Sequence, residues 1–157
     1  MRRIVGLSSG KSLRILVVED EILIALELES LLQEAGHDVV GVATSCDEAL
    51  AMARDLAPDL AFVDIHLTDG PTGVDVCRHL TSQLGVTTLF MTANAKRIPE
   101  DFAGACGVIA KPYTERGVRE ALAYVIVGQK PHGAGAAQTM TFVPFEALSR
   151  EDSSQVS

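Results

Sequence analysis

Four short stretches of this 157-residue chain end an apolar run in a chemically active group. Glu19-Asp20-Glu21 follows Ile15 to Val18, Asp64-Ile65-His66 follows Leu60 to Val63, Thr92-Ala93 follows Thr88 to Met91, and Lys111-Pro112 follows Val108 to Ala110. Carboxylates such as Glu19, Asp20 and Asp64, crowded together, repel one another and raise each other's pKa unless a cation sits between them. A hard divalent ion suits that position. Mg²⁺ prefers near-octahedral oxygen ligands, keeps several waters, and accepts one or two carboxylates together with a phosphate oxygen. A carboxylate is also a nucleophile toward phosphorus and gives an aspartyl phosphate. Such a transfer needs mainly alignment and neutralised charge, which Mg²⁺ on one side and the Lys111 ammonium on the other can supply. Thr92 adds a hydroxyl donor for a phosphoryl oxygen.

Taken singly, each group has an ordinary explanation. An acidic pair after a strand commonly serves the following helix N-terminus, Lys-Pro is commonly a surface turn, and Asp64 alone could cap a strand end. The conjunction of acid, acid, hydroxyl and amine at four separate strand ends outweighs those explanations. Glu21 is the exception, since the helix-dipole role suits it better. His66 follows the candidate nucleophile by two residues, and its side chain is expected to point outward while its backbone carbonyl faces the metal.

The elements that must position these groups follow from the patterning. From Arg14 to Gln129, short apolar runs alternate five times with segments of helical period, which predicts an α/β fold with a parallel sheet covered by helices on both faces. In such a doubly wound sheet, functional groups gather beyond the carboxyl ends of the strands, where strand order reverses. Strands are predicted over Ile15–Val18, Val39–Val42, Leu60–Val63, Thr88–Met91 and Val108–Ala110. Ile24, Leu28, Leu31, Leu32 and Ala35 mark the first helix, closed by Gly36. Ser45 with Glu48 forms a capping box for the second, and Pro58 lies past its end. Thr72 with Asp75 opens the third, which Gly85 closes. Thr114 with Glu115 opens the last, where Val118, Ala121, Leu122 and Val125 form the buried stripe. The crossover from Asn94 to Cys106 contains Pro99 and Gly104 and few large apolar residues, so the fourth helix should be short or irregular and the segment mobile.

Bulk properties exclude several classes. Thirteen Lys and Arg against twenty-one Asp and Glu give a net charge of -8, the wrong sign for neutralising nucleic-acid phosphates. Cys46, Cys77 and Cys106 are odd in number and widely spaced, and suggest buried thiols in a reducing compartment, not a disulfide framework or a metal site. The opening Met1 to Leu7 is too short for the apolar core of a signal peptide, and nothing else approaches a membrane span. Residues 1–12 are expected to form a flexible arm, 13–129 the folded domain, and 130–157 a tail without an effector domain. The tail has one apolar patch, Met140, Phe142, Val143, Phe145 and Leu148, which either folds back on the body or helps dimerise.

Leu16-Val17-Val18-Glu19-Asp20-Glu21, Phe62-Val63-Asp64-Ile65, Phe90-Met91-Thr92-Ala93 and Ile109-Ala110-Lys111-Pro112-Tyr113 resemble the receiver domain of bacterial two-component response regulators, over about three quarters of the chain. The resemblance implies a flavodoxin-like five-stranded sheet of order 2-1-3-4-5. It implies phosphotransfer to Asp64 from a sensor histidine kinase or histidine phosphotransfer protein. Mg²⁺ would be held by Asp20 directly, Glu19 through water, Asp64, and the backbone carbonyl of His66, while Thr92 and Lys111 sense the phosphoryl group. Kinases of this family dock on the first helix, where Ile22, Leu23 and Leu26 lie outside the apolar stripe, although burial under the last helix would explain them equally well.

Three departures bear on mechanism. Glu19 stands where Asp is commoner, which lengthens the reach to a metal-bound water. Val108 stands where many receivers place a rotating aromatic, so the usual threonine/aromatic coupling is absent. The stretch from Thr92 to Lys111 is short, so activation is expected to order or shift residues 94–107. The chain is therefore expected to be a cytoplasmic stand-alone switch or phosphate sink, monomeric or weakly dimeric. It would act through protein partners and not on nucleic acid or membranes, with no enzymatic activity beyond its own phosphorylation and dephosphorylation. The alternatives are a Mg²⁺-dependent phosphatase with an aspartyl nucleophile, which would want a second Asp where His66 stands, and a pseudo-receiver that never takes phosphate.

Overall fold

A computed structural model describes residues 12–93, 98–111, 113–127 and 142–145. The most apolar runs become the central strands because only a position between two helical layers removes both of their faces from water. Strand β1 (Arg14–Val18), β2 (Asp38–Ala43), β3 (Leu60–Asp64), β4 (Thr87–Thr92) and β5 (Gly107–Ala110) form a parallel sheet. Their order is β2-β1-β3-β4-β5, as the resemblance implies. Helices α1 (Ile22–Glu34), α2 (Cys46–Leu56), α3 (Gly73–Gln83) and α4 (Glu115–Val127) cover it.

Successive side chains of a strand point to opposite faces, and the core divides accordingly. Ile15, Val17, Leu60, Phe62, Leu89 and Met91 pack with Ala25, Leu28 and Leu32 of α1 and with Val118, Ala121, Leu122 and Val125 of α4. Leu16, Val18, Ala61 and Val63 pack with Ala49 and Ala53 of α2 and Val76 and Leu80 of α3. The stripe expected on the last helix is the stripe observed. On α1, Ile22, Leu23 and Leu26 are exposed, Leu23 at 77%. Burial under the last helix is therefore not their explanation.

Helix ends follow local chemistry in part. The Ser45 hydroxyl accepts the Glu48 amide at 3.3 Å, and the Glu48 carboxylate reaches back to the Thr44 amide at 2.7 Å. The Thr114 hydroxyl accepts the Gly117 amide at 3.0 Å. Thr72 behaves differently from expectation: it makes no side-chain cap, and its hydroxyl donates to Asp69 at 2.6 Å. The start of α3 is instead set by Gly73, whose amide donates to the Ile65 carbonyl at 2.9 Å. Any side chain on Gly73 would collide with the Asp64 carbonyl oxygen, so a glycine there lets α3 press against the end of β3.

Between β4 and β5 the described residues contain a single 3-10 turn, Phe102–Gly104, consistent with a short, irregular fourth crossover. Residues 94–97 of that crossover lie outside the described residues. Phe102 and Ala103 adopt left-handed backbone at φ 58° and 51°, a conformation that non-glycine residues keep only when neighbours hold it. The neighbours are an ion pair between Arg78 and Asp101, the Thr81 hydroxyl on the Ala103 carbonyl, and a stack of Phe102 on Phe145 with centroids 4.2 Å apart.

Phe145 belongs to a feature that patterning left open. Strand β6 (Phe142–Pro144) pairs antiparallel with β5, making a sixth strand at the sheet edge. Phe142 is fully buried beside Tyr124 of α4. The central part of the tail patch thus folds back on the body, while Met140 and Leu148 lie outside the described residues, as do the arm at 1–11 and the rest of the tail. The three cysteines are free, but only Cys77 is buried, whereas Cys46 and Cys106 are partly exposed. Among the described residues no helix is long and apolar enough to cross a membrane.

Candidate functional site

The topology places β1 between β2 and β3, so chain order reverses between β1 and β3 and the carboxyl ends of these neighbours flank a crevice. Glu19 follows β1, Asp64 ends β3, Thr92 ends β4, and Lys111 follows β5. A cavity of about 630 Å³ opens among Asp20, Glu21, Asp64, His66, Thr92 and Lys111. The acid, hydroxyl and amine groups singled out by spacing therefore share one edge.

Their contacts form a connected network. The Lys111 ammonium donates to Oε1 of Glu19 at 2.8 Å and to Oδ2 of Asp64 at 2.9 Å, and lies 3.8 Å from Glu21. Both bonded carboxylates are buried, Glu19 completely and Asp64 to 5% exposure. The other oxygen of Asp64 accepts the His66 amide at 3.2 Å. Thr92 is buried, and its carbonyl accepts the Lys111 amide at 3.1 Å. The His66 residue is exposed, as expected of its side chain.

Electrostatics follow from burial and crowding. Burial, reinforced by nearby Asp64, lifts the Glu19 pKa above the ordinary carboxylate value, and the bonds from Lys111 and the Glu21 amide offset only part of this. Asp20 is also raised, first by burial and then by the Glu19 charge. Burial works against the Lys111 ammonium, yet its bonds to Glu19 and Asp64 prevail and hold its pKa above the usual lysine value.

Two residues in this network stand outside the strand-end set, Glu21 with an expected helix-dipole role and Tyr113 with none. Glu21 makes no side-chain cap at α1. Its carboxylate instead gathers with those of Glu19 and Asp20, ligand oxygens all within 4.8 Å of one another. This hard-oxygen set matches the preference of Mg²⁺, while Glu21 also stands at the N-cap of α1, the positive end of the helix where a carboxylate is favoured. Tyr113 is the other. Its hydroxyl donates to Oε1 of Glu19 at 3.1 Å, and burial followed by the Glu19 charge pushes the phenol well above its ordinary pKa, so it stays a donor. The signal for Tyr113 was its place two residues after Lys111, but no spacing rule aims a phenol at a carboxylate 94 residues earlier. Pro112, between them, lies outside the described residues.

A family model described as the response regulator receiver domain matches residues 15–123. The chain is similar to the phyllosphere-induced regulator PhyR of Methylorubrum extorquens, 33% identical over 126 residues that make up 79% of this chain and 47% of that protein. It is also similar to the transcriptional regulatory protein PdtaR of Mycobacterium tuberculosis, 31% identical over 104 residues, covering 64% of this chain and 50% of that one. Among solved structures, the receiver domain of the Erythrobacter litoralis PhyR response regulator superposes with a TM-score of 0.69 at 30% identity, covering 81% of this chain and 99% of that domain. The chain thus spans about half the length of these two regulators and nearly all of the isolated domain.

Proposed function

The chain belongs to the response regulator receiver domain family, and on that premise we propose that it is a two-component signalling switch that accepts a phosphoryl group on Asp64. The observation that carries this is the Lys111 ammonium bound at once to Asp64 and Glu19 at the mouth of the cavity. In the transfer, an Asp64 oxygen forms a bond to phosphorus while the bond from phosphorus to the donor's imidazole nitrogen breaks. Lys111 and the Thr92 hydroxyl then hold phosphoryl oxygens. Asp20 and Asp64, with the His66 carbonyl and with Glu19 through water, would hold Mg²⁺, and the Glu21 carboxylate adds charge beside them. When bound, the ion supplies neutralisation of the charge on the transferring group.

The donor is a histidine kinase or histidine phosphotransfer protein, for which exposed Ile22, Leu23 and Leu26 beside the cavity offer a docking face. The receiver unit is residues 13–129, with β6 (Phe142–Pro144) added to its sheet edge. Phosphorylation puts a group of about -1.5 to -2 charge in place of the single negative charge of the Asp64 carboxylate, and the crossover before β5, held in strained backbone at Phe102 and Ala103, is the segment that responds.

Acetyl phosphate with Mg²⁺ tests the reading. A receiver takes up one acid-stable, base-labile phosphoryl group per chain and changes conformation. Fast turnover of added phosphate monoesters, which a receiver does not use as donors, would indicate a phosphatase, and no uptake a pseudo-receiver.

The raised carboxyls add a prediction with a definite sign. Because the Glu19 and Asp20 pKa values are raised in the folded state, their contribution to stability is present below the unfolded values of 4.5 and 3.8 and is lost as pH rises through the folded ones. Mg²⁺ should restore what ionisation removes. It is expected to raise the melting temperature clearly at neutral pH and to have little effect near the unfolded pKa values, as followed by circular dichroism; an equal shift at both would contradict the assignment.

A further inference from the structure

Tyr113 lies outside the set of strand-end groups, yet it shares Oε1 of Glu19 with the Lys111 ammonium, at 3.1 Å against 2.8 Å. The second oxygen of Glu19 accepts the Glu21 amide at 3.1 Å. Because Glu19 is fully buried, these donors replace the water that its carboxylate has given up, and losing one leaves a buried charge short of a partner. Lys111 divides itself between Glu19 and Asp64. A phosphoryl group on Asp64 would draw the ammonium toward itself and away from Glu19. The donor that remains on Oε1 then determines how unfavourable that movement is.

We propose that Tyr113 is a positioning residue: its hydroxyl holds the Glu19 carboxylate and keeps it satisfied when Lys111 turns to the phosphoryl group, an inference that rests on Asp64 being the acceptor. Tyr113 acts through Glu19 alone. The length of the glutamate is part of the device, because an aspartate, one methylene shorter, would draw the carboxylate back from the phenol. Glu19 and Tyr113 are therefore a matched pair, with the longer acid reaching a donor that a shorter one would miss. Tyr113 also packs its ring in the main core, so Tyr113→Phe removes the hydroxyl and keeps the packing.

The test is a double-mutant cycle on the full chain, titrating beryllofluoride, a mimic of the phosphoryl group, at saturating Mg²⁺, and titrating Mg²⁺ alone. Tyr113→Phe is expected to weaken beryllofluoride binding by about tenfold, the usual effect of losing a hydrogen bond to a charged group. Mg²⁺ binding alone should weaken by a smaller factor, because Lys111 then stays on Oε1 of Glu19 at 2.8 Å. In a Glu19→Asp background the same substitution should have no further effect. The inference is overturned if Tyr113→Phe binds beryllofluoride like the wild type. It is equally overturned if the loss is as large in the Glu19→Asp background, which would mean the ring acts by packing. If the wild type takes no beryllofluoride, the acceptor reading fails and this one with it; if it does and Tyr113→Phe matches it, only the role of Tyr113 falls.

Discussion

Asp64→Asn is expected to abolish phosphoryl uptake from acetyl phosphate while leaving the protein folded. An amide has no anionic oxygen to attack phosphorus, so the covalent step is lost and not merely slowed. The fold should tolerate the change. Asparagine has nearly the same shape, its carbonyl can accept the His66 amide that Asp64 accepts at 3.2 Å, and Lys111 keeps its 2.8 Å bond to the buried Glu19. Removing one of two carboxylates that share a single ammonium also relieves like-charge crowding. Stability is therefore expected to change by no more than about 1 kcal/mol. Intact-mass spectrometry after incubation with acetyl phosphate and Mg²⁺ checks the outcome. Retention of a base-labile phosphoryl adduct would show that another carboxylate, Asp20 foremost, is the acceptor.

Lys111→Met should produce the largest loss of stability. The substitution keeps an unbranched side chain of similar length in a position only 11% exposed, but it leaves Glu19 and Asp64 buried with no ammonium between them. Removing one partner of a buried ion pair costs about 3–5 kcal/mol, because the remaining charge stays desolvated. The pH dependence identifies the cause. Without Lys111 the Glu19 pKa, already raised by burial, rises further in the folded state, so the deficit is greatest at neutral pH and shrinks as acid protonates Glu19. Urea unfolding at neutral pH and again near the unfolded glutamate value of 4.5 separates this from a packing defect, which would be independent of pH. Adding Glu19→Gln to Lys111→Met should recover much of the loss. A variant as stable as the wild type at neutral pH would contradict the buried charge network.

The strand-end chemistry was legible because its positional logic is local. A parallel strand buried on both faces is a continuous apolar run, and the residue at its end must be where the run stops. Glu19, Asp64, Thr92 and Lys111 could thus be placed on one edge without knowing a single contact. The same locality explains why the α4 stripe and the Ser45/Glu48 cap appear in the structure as patterning predicts, since helical periodicity and capping span only a few residues.

Elsewhere, distant partners decided the outcome. Thr72 has the composition of a helix cap, but Asp69 takes its hydroxyl and Gly73 sets the start of α3 against the Asp64 carbonyl. Glu21 sits at the N-cap of α1 as a helix-dipole residue would, and the position of Lys111 and the fold of the Glu19-Asp20-Glu21 turn bring it into the acidic cluster as well. The apolar tail residues Phe142 and Phe145 could serve a second copy or their own chain, and only pairing with β5 shows that they cover their own edge.

Amino-acid order alone determined the α/β layering, the strand order through its resemblance, and the types of group gathered at the sheet edge, because burial and chain direction act along short stretches. Tertiary structure decided which donor meets which carboxylate. Lys111 and Tyr113 reach Glu19 across 92 and 94 residues, and hydrogen bonds at that separation depend on the packing of the whole sheet, which no local pattern encodes.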